Sequence, residues 1–346
     1  MRGLILVLTL LSVLPSSRRL SAQAAKPDSF RIRALAILRT VPLIDGHNDI
    51  PDAIRERGGV DSVNFSVSQP KLMTDVPRLR SGAVGGQFWA AYVPVTTMDS
   101  GTHAAVYALG VRYVTLTHWE TIDWADAATD SAKHGGLTPF GEDVVREMNR
   151  LGMLVDLSHV SDSTMIDALR VSRAPVIFSH SSARALDSHV RNVPDSILRL
   201  LARNGGVVMT NFAPDYVSEA LRAYGDTISQ GIARLRAAGL DSTAIRDSVR
   251  AWRDRAPTAT LAQVADHMEH LRQVAGVDHV GLGSDFDGIS SVPVGLEDVS
   301  KFPDLIAELL RRGWTAADVR KVAGLNILRV MRGAEAVATQ MQATTR

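Results

Sequence analysis

Histidine and aspartate recur at one kind of place in this 346-residue chain, at the end of a short apolar run. Val41–Asp45 leads into Gly46-His47-Asn48-Asp49, and Tyr113–Thr117 into His118. Met153–Leu157 leads through Ser158 into His159, Pro175–Ser179 into His180, and Val280–Ser284 into Asp285-Phe286-Asp287-Gly288. Singly, each is a weak signal. A lone His after an apolar run is usually a loop hydrogen-bonder, and an Asx-turn is the ordinary explanation of Asp49. Jointly, four His-bearing ends and an Asp-bearing final end fit accident poorly in a chain with 10 His. His47-x-Asp49 adds a chelating spacing, because side chains two apart in an extended segment share a face. With no cysteine in the chain, any metal rests on His and carboxylate ligands, which suit zinc and its neighbours.

These residues need a frame that brings run ends together. Phe88–Val95 and Val207–Asn211 complete seven strand candidates. Helical patterns follow most of them, as in Phe140–Leu151 before Gly152, Ser163–Val171 and Asp195–Ala202. Strands alternating with helices predict a parallel sheet covered by helices, and strands apolar on both faces agree. In a parallel barrel all strand C-terminal ends share one face, where active sites are built. Residues 215–257 leave this rhythm, with helical patterns at Ile228–Ala238 and Ser242–Trp252; they read as a helical insertion on the rim with a solvated charged face. On the predicted helix Leu261–Ala275, His267 and His270 flank Glu269, which is not the H-E-x-x-H arrangement; both read as a solvated or packing face. His103, His134, His189 and His279 show no partner in sequence. Past Arg332 a small polar tail is expected to fray.

Composition excludes several classes. The net charge of +1 offers no basic field for nucleic acid. The absence of cysteine excludes disulfides, thiolate metal sites, a cysteine nucleophile and a lipidated N-terminal Cys. No Gly-rich phosphate loop follows the first strand, and no G-x-S-x-G elbow appears. Arg2, the apolar run Leu4–Leu14 and Ala22-Gln23-Ala24 have the form of a secretory signal over residues 1–24; the run is short of the roughly 20 apolar residues of a membrane span. The expectation is a secreted or periplasmic protein whose mature domain is residues 25–346.

The segments LIDGHNDI, GGQFWAAYVPV, VRYVTLTH, PFGEDVVREMNRLGMLVDLSHVS, SRAPVIFSHSSARALDSHVRNVPD and GSDFDG, with VPVGLEDVSKFPDLIAELLRRGWT after it, resemble the membrane (renal) dipeptidase family of zinc peptidases. The resemblance covers most of residues 43–332. It implies an α/β fold, a TIM-like (β/α) barrel of the metal-dependent hydrolase type. It also implies a dipeptide substrate, metal-activated water, two zinc ions in the family with one or two here, and room for a homodimer. Carried over residue by residue, His47 and Asp49 look like ligands of one zinc, and His159 and His180 like ligands of the second. His118 matches the histidine that polarises the scissile carbonyl, Arg191 the arginine that grips the substrate carboxylate, and Tyr216 a substrate-contacting tyrosine. Asp285 matches the carboxylate that handles the proton.

One departure stands out. A closed barrel of this kind has eight strands, and this sequence offers seven. Between Val95 and Val111 there is room for one helix, Thr102–Leu109, where family members carry a further βα unit of on the order of 30 residues or more. Its strand ends in the glutamate that bridges the two zincs, and no segment here matches it. Glu120 is the nearest carboxylate in sequence. The expectation is a barrel lacking one βα unit, with a defect between the Phe88 and Tyr113 strands. The dipeptidase reading then stands beside two alternatives: a non-catalytic peptide-binding relative, or another amide hydrolase on the same barrel.

Overall fold

The structure is a computed structural model that describes residues 28–91 and 102–344. The signal-like segment and residues 92–95 of the second strand candidate lie outside them. Seven parallel strands form one sheet: β1 (Leu43–Asn48), β2 (Val84–Trp89), β3 (Tyr113–Thr115), β4 (Leu154–Asp156), β5 (Ile177–Phe178), β6 (Val207–Thr210) and β7 (Val280–Leu282). Their order is β2-β1-β7-β6-β5-β4-β3. The last strand pairs with the first, Asp45 against Leu282, as in a barrel. No backbone pairing joins β2 to β3 among the described residues, so the expected defect lies where the sequence lacks a βα unit.

The sheet is nevertheless curled. Phe88 on β2 and Tyr113 on β3 stand at opposite ends of the strand order, yet their rings meet edge-on with centroids 5.5 Å apart. The interior is tight enough to require glycine: a Cβ on Gly283 would lie 2.0 Å from the Ser179 carbonyl oxygen across the sheet. The central strands β1, β4, β5, β6 and β7 are buried throughout, whereas β2 and β3 are only partly covered. Trp89 at the β2 end is 51% exposed, and Leu109 before β3 is 86% exposed, the expected marks of an unsealed seam.

The covering helices carry their boundaries in sequence. Pro139–Leu151 starts on the Thr138 hydroxyl, which accepts from Gly141 N–H, and stops at Gly152 in the left-handed region. Leu261–Ala275 opens with a capping box between Thr260 and Gln263. Glu219–Ala237 and Ser242–Arg253 bury no residue of their own, as a helical excursion on the rim requires. The expected frayed tail is corrected: Asn326–Thr344 is a helix. Val330, Ala334 and Ala338 recur every four residues and are buried. The small residues that looked like a tail are a narrow apolar stripe, and Val330 and Ala334 share a cluster with Leu154 and Ile177.

Candidate active site

The strand C-terminal ends open on a cleft of about 490 Å³. His47, Asp49, His118, His159, His180, Arg191, Tyr216 and Asp285 all line it, so the structure brings together every site residue singled out in the sequence. Two of them leave their strands by a left-handed residue, His159 with φ 72° and Asp285 with φ 64°. Such backbone costs on the order of 1–3 kcal/mol at a non-glycine residue and is concentrated at functional sites.

At the floor of the cleft the histidines crowd. His47 and His180 stack with ring centroids 3.9 Å apart, and Nε2 of His159 lies 2.9 Å from Nε2 of His180. His47 Nε2 is 3.2 Å from an Asp49 carboxylate oxygen, and its Nδ1 is 3.1 Å from the Tyr113 hydroxyl. Ligand atoms of His47, His180 and Asp285 all lie within 4.8 Å of one another. Burial, reinforced by neighbouring positive groups, holds His159 and His180 well below the usual imidazole range. They are therefore neutral, the ligating form. Burial pulls His47 the same way, but the hydrogen bond that its ring donates to Asp49 and the charges of Asp49, Asp285 and Asp156 outweigh it and lift the ring to about 9. Asp285 is raised to about 6 by burial, with the charge of His47 opposing. Two neutral ring nitrogens face to face beside two carboxylates form the donor set of a His/Asp metal site, so these residues fit the metal that the resemblance implies.

A buried cation, Arg191, also lines this cleft. Arg191 is 1% exposed, and no carboxylate lies within ion-pair reach of it among the described residues. Its terminal nitrogens make long contacts, 3.4 Å each, to Ser181 Oγ and the His180 carbonyl, the Tyr216 hydroxyl is a further partner, and its Nε has none. The guanidinium lies 5.6 Å from the Tyr216 ring centroid. Tyr216 packs in turn on His189, with ring centroids 4.4 Å apart, and His189 Nδ1 accepts the Arg191 backbone N–H at 3.1 Å. Thus His189, without a partner in sequence, shapes the Arg191 loop.

Other expectations need correction or detail. Glu120 is exposed and lies outside the cleft lining, so it does not take the place of the family's bridging glutamate; it follows His118 on a loop that carries it away. His134 and His279 contact the carbonyls of Ile122 and Gly206, His270 meets Asp195, and the His103 side chain lies outside the described residues. Sequence reasoning passed over Asp45 and Asp156, both fully buried. The available signal was a carboxylate inside an otherwise apolar strand, a costly placement unless it is hydrogen-bonded.

His267 is a packing residue with a consequence for pH. It is 1% exposed, and its Nδ1 accepts the Ala183 N–H at 3.0 Å, tying the helix to the loop that carries Arg191. Burial lowers its pKa to about 4. Below the unfolded value of 6.5 the unfolded chain binds the proton first, so stability falls as pH drops from about 6.5 to 4. The loss is about 3 kcal/mol from this group. Urea unfolding of the chelator-treated chain should therefore show a steeper acid loss than His267→Asn, which retains an acceptor but does not titrate. Parallel pH profiles would remove His267 from the account.

Comparison with known proteins agrees with this geometry. The family profile described as membrane dipeptidase, peptidase family M19, matches residues 31–105 and 98–345. Dipeptidase 3 of Rattus norvegicus is 36% identical over 368 residues, spanning 89% of this chain and 68% of that protein. Dipeptidase 3 of Macaca fascicularis is 37% identical over 377 residues, spanning 90% and 69%. Among solved structures, the probable dipeptidase PvdM from Pseudomonas aeruginosa superposes with a TM-score of 0.77 at 22% identity, over 90% of this chain and all of that one. A metallopeptidase from Rhodobacter sphaeroides, liganded with a phosphinate mimic of the dipeptide L-Ala-D-Ala, superposes with a TM-score of 0.59 at 22% identity, over 85% and 99%. The chain therefore belongs to the membrane dipeptidase family, peptidase family M19, and is a metallodipeptidase, a hydrolase of peptide bonds.

Proposed function

We propose that this chain hydrolyses dipeptides with a free C-terminus, using zinc held by His47, Asp49, His159 and His180. The observation that carries the reading is the buried Arg191, unpaired with any carboxylate among the described residues, in the same cleft as the His/Asp cluster. A guanidinium that lacks an internal counterion is suited to a carboxylate from outside, because its planar fork matches the two oxygens. The dipeptide mimic bound by the Rhodobacter sphaeroides metallopeptidase supports the same substrate class.

Bound zinc would supply polarisation of the amide carbonyl and acidification of a water; the remaining work falls to side chains of this chain. Arg191 and Tyr216 bind and orient the C-terminal end. The His118 ring, which burial and the Arg191 charge keep below the usual imidazole range, is a neutral donor for the oxygen on which negative charge develops. Asp285, with an Asn211 amide donating to it at 3.0 Å, takes a proton from water and returns it to the leaving amine. Its pKa near 6 suits a group that must both accept and release a proton near neutrality.

The unsealed seam supports a second part of the proposal. No strand among the described residues carries a shared glutamate, so each zinc would have two ligands, His47 with Asp49 and His159 with His180. Catalytic zinc normally has three protein ligands. The chain as written would hold less than two equivalents of zinc and turn over slowly.

Substrate grip is tested at Arg191. Arg191→Ala is expected to raise KM for dipeptides roughly 10- to 100-fold, the worth of a hydrogen bond to a charged group, with zinc content unchanged. Dipeptide amides, which lack the carboxylate, should be affected far less. An equal loss on both substrate types would remove Arg191 from carboxylate binding.

A further inference from the structure

Beneath the cleft, Asp156 at the end of β4 is fully buried and accepts four hydrogen bonds. Its Oδ1 takes Ser158 N–H at 3.0 Å and Ser179 N–H at 2.8 Å. Its Oδ2 takes the hydroxyls of Thr115 and Ser179, each at 2.6 Å. Four contacts fill the acceptor sites of a carboxylate. The Ser179 oxygen, also fully buried, lies in addition 2.7 Å from Nδ1 of His180.

The proton count along this line has one solution. A serine hydroxyl has a single hydrogen, and the carboxylate of Asp156 has none to give, so Ser179 donates to Asp156. Toward His180 the Ser179 oxygen can then only accept, and Nδ1 of His180 must carry the ring hydrogen. Nε2 is left with its lone pair, directed at His159 on the floor of the cleft. The His180 backbone is pinned on the same side, its N–H on Ser158 Oγ at 3.1 Å.

We infer that Asp156 and Ser179 are positioning residues for the metal site: they set His180 in the Nδ1–H tautomer and present its Nε2 to the metal. The inference rests on the metallodipeptidase reading above, and it names residues that touch neither substrate nor metal. An outer partner of this kind fixes a ligand's tautomer and orientation and raises its basicity, and its loss typically costs 10–100-fold in metal affinity. Thr115 on β3 and Ser179 after β5 meet on the same carboxylate, so Asp156 also laces three strand ends around the ligand it orients. An analogous arrangement recurs across the sheet. Asp45 on β1 accepts Ser284 N–H at 2.7 Å and Ser284 Oγ at 2.6 Å, and Ser284 directly precedes Asp285.

The test reads the ring nitrogens and the metal separately. Nitrogen-15 two-bond correlation spectra of the full chain after chelator treatment should show His180 protonated at Nδ1. Ser179→Ala removes the acceptor, and in Asp156→Asn the new amide can donate to Ser179, freeing the serine proton for His180. Both variants should shift His180 toward the Nε2–H form and weaken zinc binding 10- to 100-fold in competition with a chromogenic chelator. A purely structural role would lower the melting temperature without moving the tautomer. An Nε2–H tautomer in the unsubstituted chain would overturn the inference whatever the variants do. So would unchanged zinc affinity in a folded Ser179→Ala protein. If the unsubstituted chain bound no zinc at all, the metal reading would fall, while the spectra would still decide the tautomer.

Discussion

Asp285→Asn lowers dipeptide turnover by about two to four orders of magnitude, the usual worth of a positioned acid–base group. The substitution keeps the shape and leaves an oxygen to accept the Asn211 amide, which donates to Asp285 at 3.0 Å. What disappears is the ability to take a proton from water and return it to the leaving amine. Zinc content is measured on the same preparation, because Asp285 lies within 4.8 Å of ligand atoms of both His47 and His180. Retained zinc with lost turnover assigns the loss to proton transfer. Zinc lost in step with turnover moves Asp285 into the ligand set. Turnover within a few-fold of the parent chain removes it from the chemistry altogether.

The second large effect comes from sealing the seam. Insertion between Val95 and Val111 of a βα unit whose strand ends in glutamate is expected to bring zinc content to two equivalents. Turnover should rise by at least the 10–100-fold that even an outer partner of a metal ligand is worth. Two arguments support this. Two dications repel strongly in a site of low dielectric, and a shared carboxylate offsets that repulsion. The inserted strand would also find both neighbours waiting: among the described residues no backbone pairing joins β2 to β3 along the seam, and the two strands meet through the Phe88–Tyr113 ring contact. Zinc after dialysis and dipeptide turnover are compared in the chain as given and in the extended one. Two tightly held zincs with full turnover in the chain as given would refute the argument. No zinc and no turnover in either would favour a protein that binds peptides without cleaving them.

Much of the architecture was legible because its signals are local. The period of apolar residues marks the strands and helices. The caps at Thr138, Gly152 and Thr260 close turns whose hydrogen bonds span only a few residues. The lack of an eighth strand among the described residues was likewise visible as too few residues between two apolar runs. The helix Asn326–Thr344 was misread because a stripe of alanines and single valines has little apolar weight. It becomes a buried face only when a sheet and a helix lie opposite it.

The sequence by itself determined the residue types of the site and their placement at strand ends, since parallel strands must deliver their C-terminal ends to one face. Only the tertiary structure decided which carboxylates matter and how the imidazoles are set. Glu120 is two residues past His118 in the chain yet faces solvent, whereas Asp285 is 105 positions beyond His180 and approaches it within 4.8 Å. The neutrality of His159 and His180, the lack of a carboxylate partner for Arg191 among the described residues, and the tautomer imposed through Ser179 all depend on distances between strands far apart in sequence. Hydrogen bonding and desolvation act over a few ångströms of space, and chain separation carries no information about either.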